Sequence, residues 1–263
     1  GNLTARGSES SPGNLTARGS ESSNGKLTVC ATPIGNLGDV SYRLLEALRD
    51  SDLILAEDTR RTRKLLAHYD IHVPLTCLEK HREAAMQPWV ERKLQLGKRI
   101  ALLSDAGTPG LADPGQQLIP ALIHSGYEVD YIPGPSAILA ALTLSGLPMH
   151  SFLFHAFPPA KTGPRRRLFL SLAMLKATLI FFESPFRLRS SLDDMRTSFG
   201  DRPAAICREM TKRYQEIWRG SLSSLQERLA QRKTPPLGEV TVVVGGSRDT
   251  AVENELTVEG SQC

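Results

Sequence analysis

The sequence is poor in aromatic residues, with Trp, Tyr and Phe together making up 6% of 263 residues. It also lacks a cysteine framework. Cys30, Cys77, Cys207 and Cys263 lie far apart with no C-x-x-C pair, which argues against a disulfide scaffold or a thiolate zinc site and for reduced thiols. His68 and His72 stand four apart, at helical spacing, but no third ligand is near them in sequence, so no metal site is expected. No apolar run reaches the roughly 18 residues of a membrane helix, and no signal-peptide stretch lies near the start. The expectation is a cytoplasmic protein with no membrane partner. The G-x-G-x-x-G and G-x-x-x-x-G-K-[ST] patterns are missing as well, which counts against a dinucleotide Rossmann site and a P-loop NTPase. The formal net charge of +4 accommodates an anionic partner without specifying one.

What is present supports a folded enzyme. Hydrophobic residues make up 40% and charged residues 23%, enough apolar content for a substantial core. The length suits one large domain or two ordinary ones. Residues 1–12 and 13–24 form a near-perfect tandem repeat, GNLTARGSESSP then GNLTARGSESSN. Two short polar copies cannot stack into a solenoid, so residues 1–25 are expected to be a disordered leader. The polar stretch 247–263 is expected to be a flexible tail.

Between them, strands and helices alternate. Apolar and β-branched runs predict strands at 27–32, 53–56, 100–104 and 128–132. Helical spacing predicts helices at 42–48, 59–69, 86–96, 115–125 and 136–145. Such alternation argues for an open, mostly parallel sheet. After a break at Gly146-Leu147-Pro148, the alternation resumes. Helices are predicted at 165–175, 188–199 and 222–231, and strands at 178–182, 204–207 and 240–244. The expected fold class is α/β: two α/β domains, 26–147 and 148–246, with a cleft between them.

Each strand of the first half runs into a conspicuous loop. These are Thr32-Pro33-Ile34-Gly35-Asn36, Ala56-Glu57-Asp58-Thr59-Arg60, Ser104-Asp105-Ala106-Gly107-Thr108-Pro109 continuing to Asp113-Pro114-Gly115, and Pro133-Gly134-Pro135-Ser136-Ala137. Gly and Pro in any one of them need do no more than turn the chain. Four at successive strand ends point to one crevice, because ligands of open α/β sheets bind beyond the carboxyl ends of the strands.

The segments ATPIGNLGDVSYRLLEAL, LAEDTRRTRKLL, LLSDAGTPGLADPG and YIPGPSAILAALTLSGLP, followed by FESPFRL, CREMTKRYQEIWRG and LGEV, resemble in order the motifs of the ribosomal RNA small subunit methyltransferase I family. The resemblance spans roughly residues 26–246. It implies the tetrapyrrole-methylase fold type, S-adenosylmethionine as cofactor bound between the two domains, 2′-O-methylation of a cytidine in 16S ribosomal RNA of the small ribosomal subunit, and a homodimer. Two departures stand out. Phe186 occupies a place where the family usually carries His, and the sequence stops soon after Gly246, where members often continue with a helical extension. Either is expected to weaken RNA docking or alter the target.

The resemblance assigns residues as follows. Pro33, Gly35, Asp105, Ala106, Gly107, Pro133, Ser136 and Ala137 would surround the cofactor, with Met210 packing on its adenine. Candidates for a catalytic base or positioning group are Asp105, Glu57, Glu209 and Lys212, among which the sequence does not choose. Arg60, Arg61, Arg63 and Lys64 form one basic cluster for RNA phosphates, and Arg165, Arg166 and Arg167 with Arg187 a second. Each residue also has a plainer reading: helix caps for Asp105 and Ser136, dipole complements for Glu57 and Asp58, a solvated face for the basic runs, and a bracing pair for Glu183 and Arg187. Two other activities stay open: methylation of a small tetrapyrrole-type substrate, and RNA binding without catalysis.

Overall fold

The computed structural model describes residues 25–232 and 237–247; the leader repeat and most of the tail lie outside the described residues. The first half runs β1 (Lys26–Cys30), α1 (Tyr42–Arg49), β2 (Leu53–Ala56), α2 (Thr59–His68), β3 (Leu75–Cys77), α3 (Glu83–Gln95), β4 (Ile100–Leu103), α4 (Leu118–His124), β5 (Glu128–Ile132) and α5 (Ala137–Ser145). Its five strands form one all-parallel sheet in the order β3-β2-β4-β1-β5. Near-continuous apolar runs such as IALL suit strands covered by helices on both faces, and every residue of β4 is buried. One core layer gathers Leu44, Leu48 and Leu66, and the other Val90, Leu94 and Leu118.

The second half runs β6 (Phe152–Phe154), α6 (Thr162–Leu172), β7 (Thr178–Glu183), α7 (Leu188–Phe199), β8 (Pro203–Arg208), β9 (Glu216–Ser221), α8 (Leu222–Ala230) and β10 (Val240–Val244). Its sheet order is β6-β7-β10-β8-β9, with only β6–β7 parallel. Alternation in sequence therefore does not make this sheet parallel: β10 returns from the far end of the chain to sit at its centre.

Several bounds differ from the sequence expectation for local reasons. The fourth helix begins at Leu118 rather than 115 because Gly115 has φ +118, outside helical space. Helix α6 starts a turn early, at Thr162, since Pro164 lies in the first turn, where a missing N–H costs nothing. Strands β3 and β6 have three residues each, too few for a periodicity to register. Strand β9 is an edge strand with polar Glu216, Arg219 and Ser221.

The two halves are joined by α5. Ser136 caps it, accepting from the Leu139 N–H, and Gly146 ends it at φ +73, the left-handed conformation glycine adopts without strain. Though it follows the first sheet, α5 packs on the second. Ile138, Ala141 and Leu142 share a core with Ile180, Ala205, Cys207 and Val243, and Ile34 from the loop after β1 joins them.

Candidate functional site

In the first sheet the chain leaves β1 for β2 on one side and β4 for β5 on the other, so the loops after β1 and β4 meet at the point where the strand order reverses. They clasp. Thr32 N–H donates to the Gly107 carbonyl at 2.8 Å and Gly107 N–H returns to the Thr32 carbonyl at 3.0 Å. The Ser104 hydroxyl also donates to the Gly107 carbonyl, at 3.1 Å. Gly107 has φ +81, a conformation that side-chain-bearing residues rarely adopt. Below this clasp opens a cavity of about 430 Å³, of the size of cofactor sites.

Its polar wall comes from the first half: Glu57 and Arg61, then residues 105–108, Ala112 and Asp113. Its apolar side carries Ile34, Ile138, Phe157, Phe182, Met210 and Val240, and residues 183–185 and 238–241 complete it. Ala137 and Ile138 also line it; they open α5, whose first-turn N–H groups have no intrahelical acceptor. Of the expected cofactor residues, Asp105, Ala106, Gly107, Ser136, Ala137 and Met210 line the cavity, while Pro33, Gly35 and Pro133 are not among its lining residues.

The carboxylates differ in their engagements. Asp105 accepts the Asp58 N–H at 2.9 Å and lies 3.6 Å from Arg61 Nε, so it ties the loop after β4 to the start of α2. The Asp58 side chain caps α2 and is chelated by Arg60. Glu57 is pushed above the usual carboxylate range by burial first and by Asp105 second. Asp113, at the end of the loop after β4 and not among the expected site residues, is pushed up to about 7 by burial, with Glu57 next in effect.

Glu209 and Lys212 are not among the cavity-lining residues. Lys212 Nζ lies 2.8 Å from Glu209 and 3.1 Å from Glu239, and Glu209 also accepts the Glu239 N–H at 2.8 Å. Two glycines admit this cluster. A Cβ at Gly238 would lie 2.4 Å from the Glu209 carboxyl, and one at Gly35 the same distance from Lys212 Cγ. Burial raises Glu209, but the bonds from Lys212 and Glu239 outweigh it and hold the carboxyl low. Burial lowers Lys212, but Glu209 and Glu239 outweigh it and hold the ammonium high. A lysine held protonated is no base at neutral pH; Lys212 serves as a latch from the second half onto the loop at Gly35.

The basic clusters divide. Arg61 lines the cavity, and Arg60, Arg63 and Lys64 are exposed along α2. Arg165 is a correction: it is 1% exposed, with Nε 2.7 Å from Asp194 and Nη1 3.1 Å from the Ala160 carbonyl. Every third or fourth residue of α6 faces the core, and Arg165 falls on that face, so it is not presented to RNA. Arg166 pairs with the same Asp194 from the surface side, and Arg167 is exposed. Arg187 pairs with the buried Glu183 at 2.9 Å and donates to the Pro158 carbonyl at 3.4 Å, bracing the segment that carries Phe157. Phe186 is 76% exposed.

A family profile described as Tetrapyrrole (Corrin/Porphyrin) Methylases matches residues 26–226. Ribosomal RNA small subunit methyltransferase I of Thermotoga maritima is 45% identical over 83% of this chain and 97% of its own length. The protein of the same name from Mesorhizobium japonicum is 46% identical over 85% and 76%. The chain belongs to the ribosomal RNA small subunit methyltransferase I family. The methyltransferase CobJ shares the fold at 21% identity, with a TM-score of 0.63 over 86% of this chain and 97% of that one. Members of this family are methyltransferases with S-adenosylmethionine as methyl donor, and the cavity suits that cofactor. Carboxylates on one wall complement a cationic sulfur, Ala106 and Gly107 line the cavity beside the clasp, and Ile34, Ile138 and Met210 offer an apolar seat for a ring. Among the described residues no three His, Cys, Asp or Glu side chains form a metal group, and no helix is long and apolar enough to cross a membrane.

Proposed function

We propose that the protein methylates the ribose 2′-hydroxyl of a cytidine in 16S ribosomal RNA, acting on the small ribosomal subunit in the cytoplasm, as one of two copies in a homodimer. The observation that carries the reading is that the family's ordered motifs converge on one cavity, at the reversal point of a parallel sheet. The cofactor supplies a methyl group on a positively charged sulfur that leaves as a neutral thioether. The protein's own contribution is alignment. The Ala106 backbone, beside the clasped Gly107, and the first turn of α5 would hold the cofactor's polar end, with Met210 and Ile138 against its ring. Arg61, with Arg63 and Lys64 further along α2, would take RNA phosphates, which position a strand without reading its bases. Holding the reacting atoms in line supplies about 7–11 kcal/mol of barrier lowering. A general base adds about 10²–10⁴-fold, so positioning dominates.

Transfer of a labelled methyl group to small subunits lacking their native modifications, followed by nucleoside mass spectrometry, tests this. The expected product is 2′-O-methylcytidine. A base-methylated nucleoside would overturn the choice of oxygen. Absence of product with the cofactor bound, together with methylation of a porphyrin or corrin substrate, would overturn the choice of RNA. Sedimentation of the pure protein as a monomer would overturn the dimer.

A further inference from the structure

Four carboxyl groups of the wall and its support already have a structural partner. Asp105 holds the Asp58 N–H and faces Arg61. Glu209 holds Lys212 and the Glu239 N–H. Glu239 reaches Lys212. Glu183 is fully occupied by the Ser184 N–H, Arg187 and the Ser191 hydroxyl. Asp113, whose one hydrogen-bonding neighbour is the Ser104 hydroxyl, and Glu57 remain without an ion pair or a backbone donor among the described residues, and both line the cavity.

The backbone singles out Asp113 of the two. Ala112, immediately before it, has φ +69, and Gly110 and Gly115 on either side have φ +84 and +118. The Gly110 N–H closes the loop onto the Pro114 carbonyl at 2.8 Å, and Lys80 Nζ donates to the Ala112 carbonyl at 3.3 Å. A non-glycine residue in the left-handed region costs of order 1–3 kcal/mol and persists only where its surroundings over-determine it. Here the strained residue directly precedes a half-buried carboxyl that lines the cavity.

We infer that Asp113 is the catalytic base of this cavity, taking the proton from the substrate hydroxyl as the methyl group arrives. The inference rests on the reading that a hydroxyl is the acceptor. The O–H bond of the hydroxyl breaks and its proton passes to an Asp113 oxygen. The oxygen's electron pair forms the new bond to the methyl carbon, and the pair of the broken carbon–sulfur bond stays on sulfur. Asp113 then releases the proton to water, which leaves charge and atoms balanced. The groups that face Asp113 are Glu57 just after β2, Asp105 in its own loop, Lys80 from the turn before α3 and the Ser104 hydroxyl, and Arg61 of α2 lines the same cavity. Burial, then Glu57, sets it at about 7, so it is a stronger base than an exposed aspartate and still half ionised at neutral pH. Asp105, tied to a backbone N–H and an arginine, is anchored in the wall.

The test compares the parent with Asp113→Asn, Asp113→Glu, Glu57→Gln and Asp105→Asn, measuring kcat for methyl transfer to unmodified small subunits from about pH 5.5 to about pH 9 with saturating cofactor. Cofactor Kd is measured in parallel by calorimetry. The parent kcat is expected to rise through about pH 7 and level off. Asp113→Asn is expected to lose about 10²–10⁴-fold in kcat with cofactor Kd unchanged and no remaining inflection, and Asp113→Glu to recover part of the loss with a displaced midpoint. An Asp113→Asn variant within about threefold of an active parent, or one whose loss is matched by lost cofactor binding, overturns the assignment alone. So does an inflection that survives in Asp113→Asn and vanishes in Glu57→Gln or Asp105→Asn. An inactive parent overturns the methyl-transfer reading and this step with it.

Discussion

Removing the Asp194 carboxylate isolates the one fully buried guanidinium among the expected RNA contacts. The Arg165 and Asp194 side chains are 2% and 3% exposed. Arg165 spends its remaining donors on the Ala160 and Ser190 carbonyls, at 3.1 and 3.3 Å, and on the Thr162 hydroxyl at 3.5 Å. Asp194→Ala leaves that charge in the interior with only neutral acceptors. Breaking a buried pair from one side costs about 3–5 kcal/mol. For a chain of this size, at about 2–4 °C per kcal/mol, the melting temperature falls by roughly 6–20 °C. Arg166, 47% exposed on the same carboxylate, is the control: Arg166→Ala costs at most about 1 kcal/mol. Replacing both partners, Arg165→Met with Asp194→Leu, restores most of the loss, because an apolar pair of similar volume pays no desolvation penalty. Scanning calorimetry of the four proteins reads these differences, and filter binding to small-subunit RNA is run beside it. A fall below about 2 °C for Asp194→Ala would refute the energetic argument. A double variant that melts like the parent yet binds RNA at least tenfold more weakly would return Arg165 to the RNA surface.

Asp113 also links stability to pH. Its folded value of about 7 lies above the ordinary 3.8, so the fold binds the extra proton; the stability this confers is full below about pH 4 and lost as pH rises through about 7. The rise of about 3 units corresponds to about 4 kcal/mol, which solvent screening at a partly open site reduces to roughly 2. Denaturant unfolding should therefore find Asp113→Asn more stable than the parent at pH 8 by that amount and little different at pH 4; equal gaps at both pH values would rule the linkage out. Gly238→Ala places a Cβ against the Glu209 carboxyl at a position with φ +97. It is expected to cost about 1–3 kcal/mol and to weaken cofactor binding about tenfold by calorimetry, because residues 238–241 line the cavity; unchanged affinity would show that the latch does not shape it. Arg63→Ala with Lys64→Ala should flatten the slope of log affinity against log salt for single-stranded target RNA by about 1.4, and an unchanged slope would place the phosphates elsewhere.

Most of the first half was legible because its central strands β1, β2 and β4 are buried on both faces. A run such as IALL or LILA is too short for a helix of its own and reads as a buried strand, and the loops that follow mark where each strand stops. The second sheet was less legible because its centre is assembled from distant segments. Nothing local in TVVV distinguishes a strand that will run antiparallel to two others. Edge strand β9 carries its pairing in backbone hydrogen bonds that side-chain pattern does not encode. The three arginines at 165–167 read as one patch in sequence, yet the 100° step of a helix sends the first to the core and the others outward.

The same limit explains which site residues sequence reasoning reached. Asp105 and Gly107 sit within the conspicuous motif, and the clasp of Thr32 with Gly107 is the direct consequence of two such loops meeting where the strand order reverses. Asp113 lies eight residues downstream at the far end of the same motif, where it reads as turn chemistry, and its distinctive environment depends on burial and on Glu57 and Lys80, each on a different element. Glu209 and Lys212 presented the opposite problem: a charged pair beside a methionine looks like a site, but the two satisfy each other and Glu239. What they accomplish is mechanical. The Lys212 stem crosses Gly35, so the loop that clasps Gly107 on one side is gripped by the second half on the other. The cavity thus depends on contacts made by both sheets, with α5 packed between them. A substitution that loosens either the α5 core or the Lys212 latch should then weaken cofactor binding without touching a residue that lines the cavity.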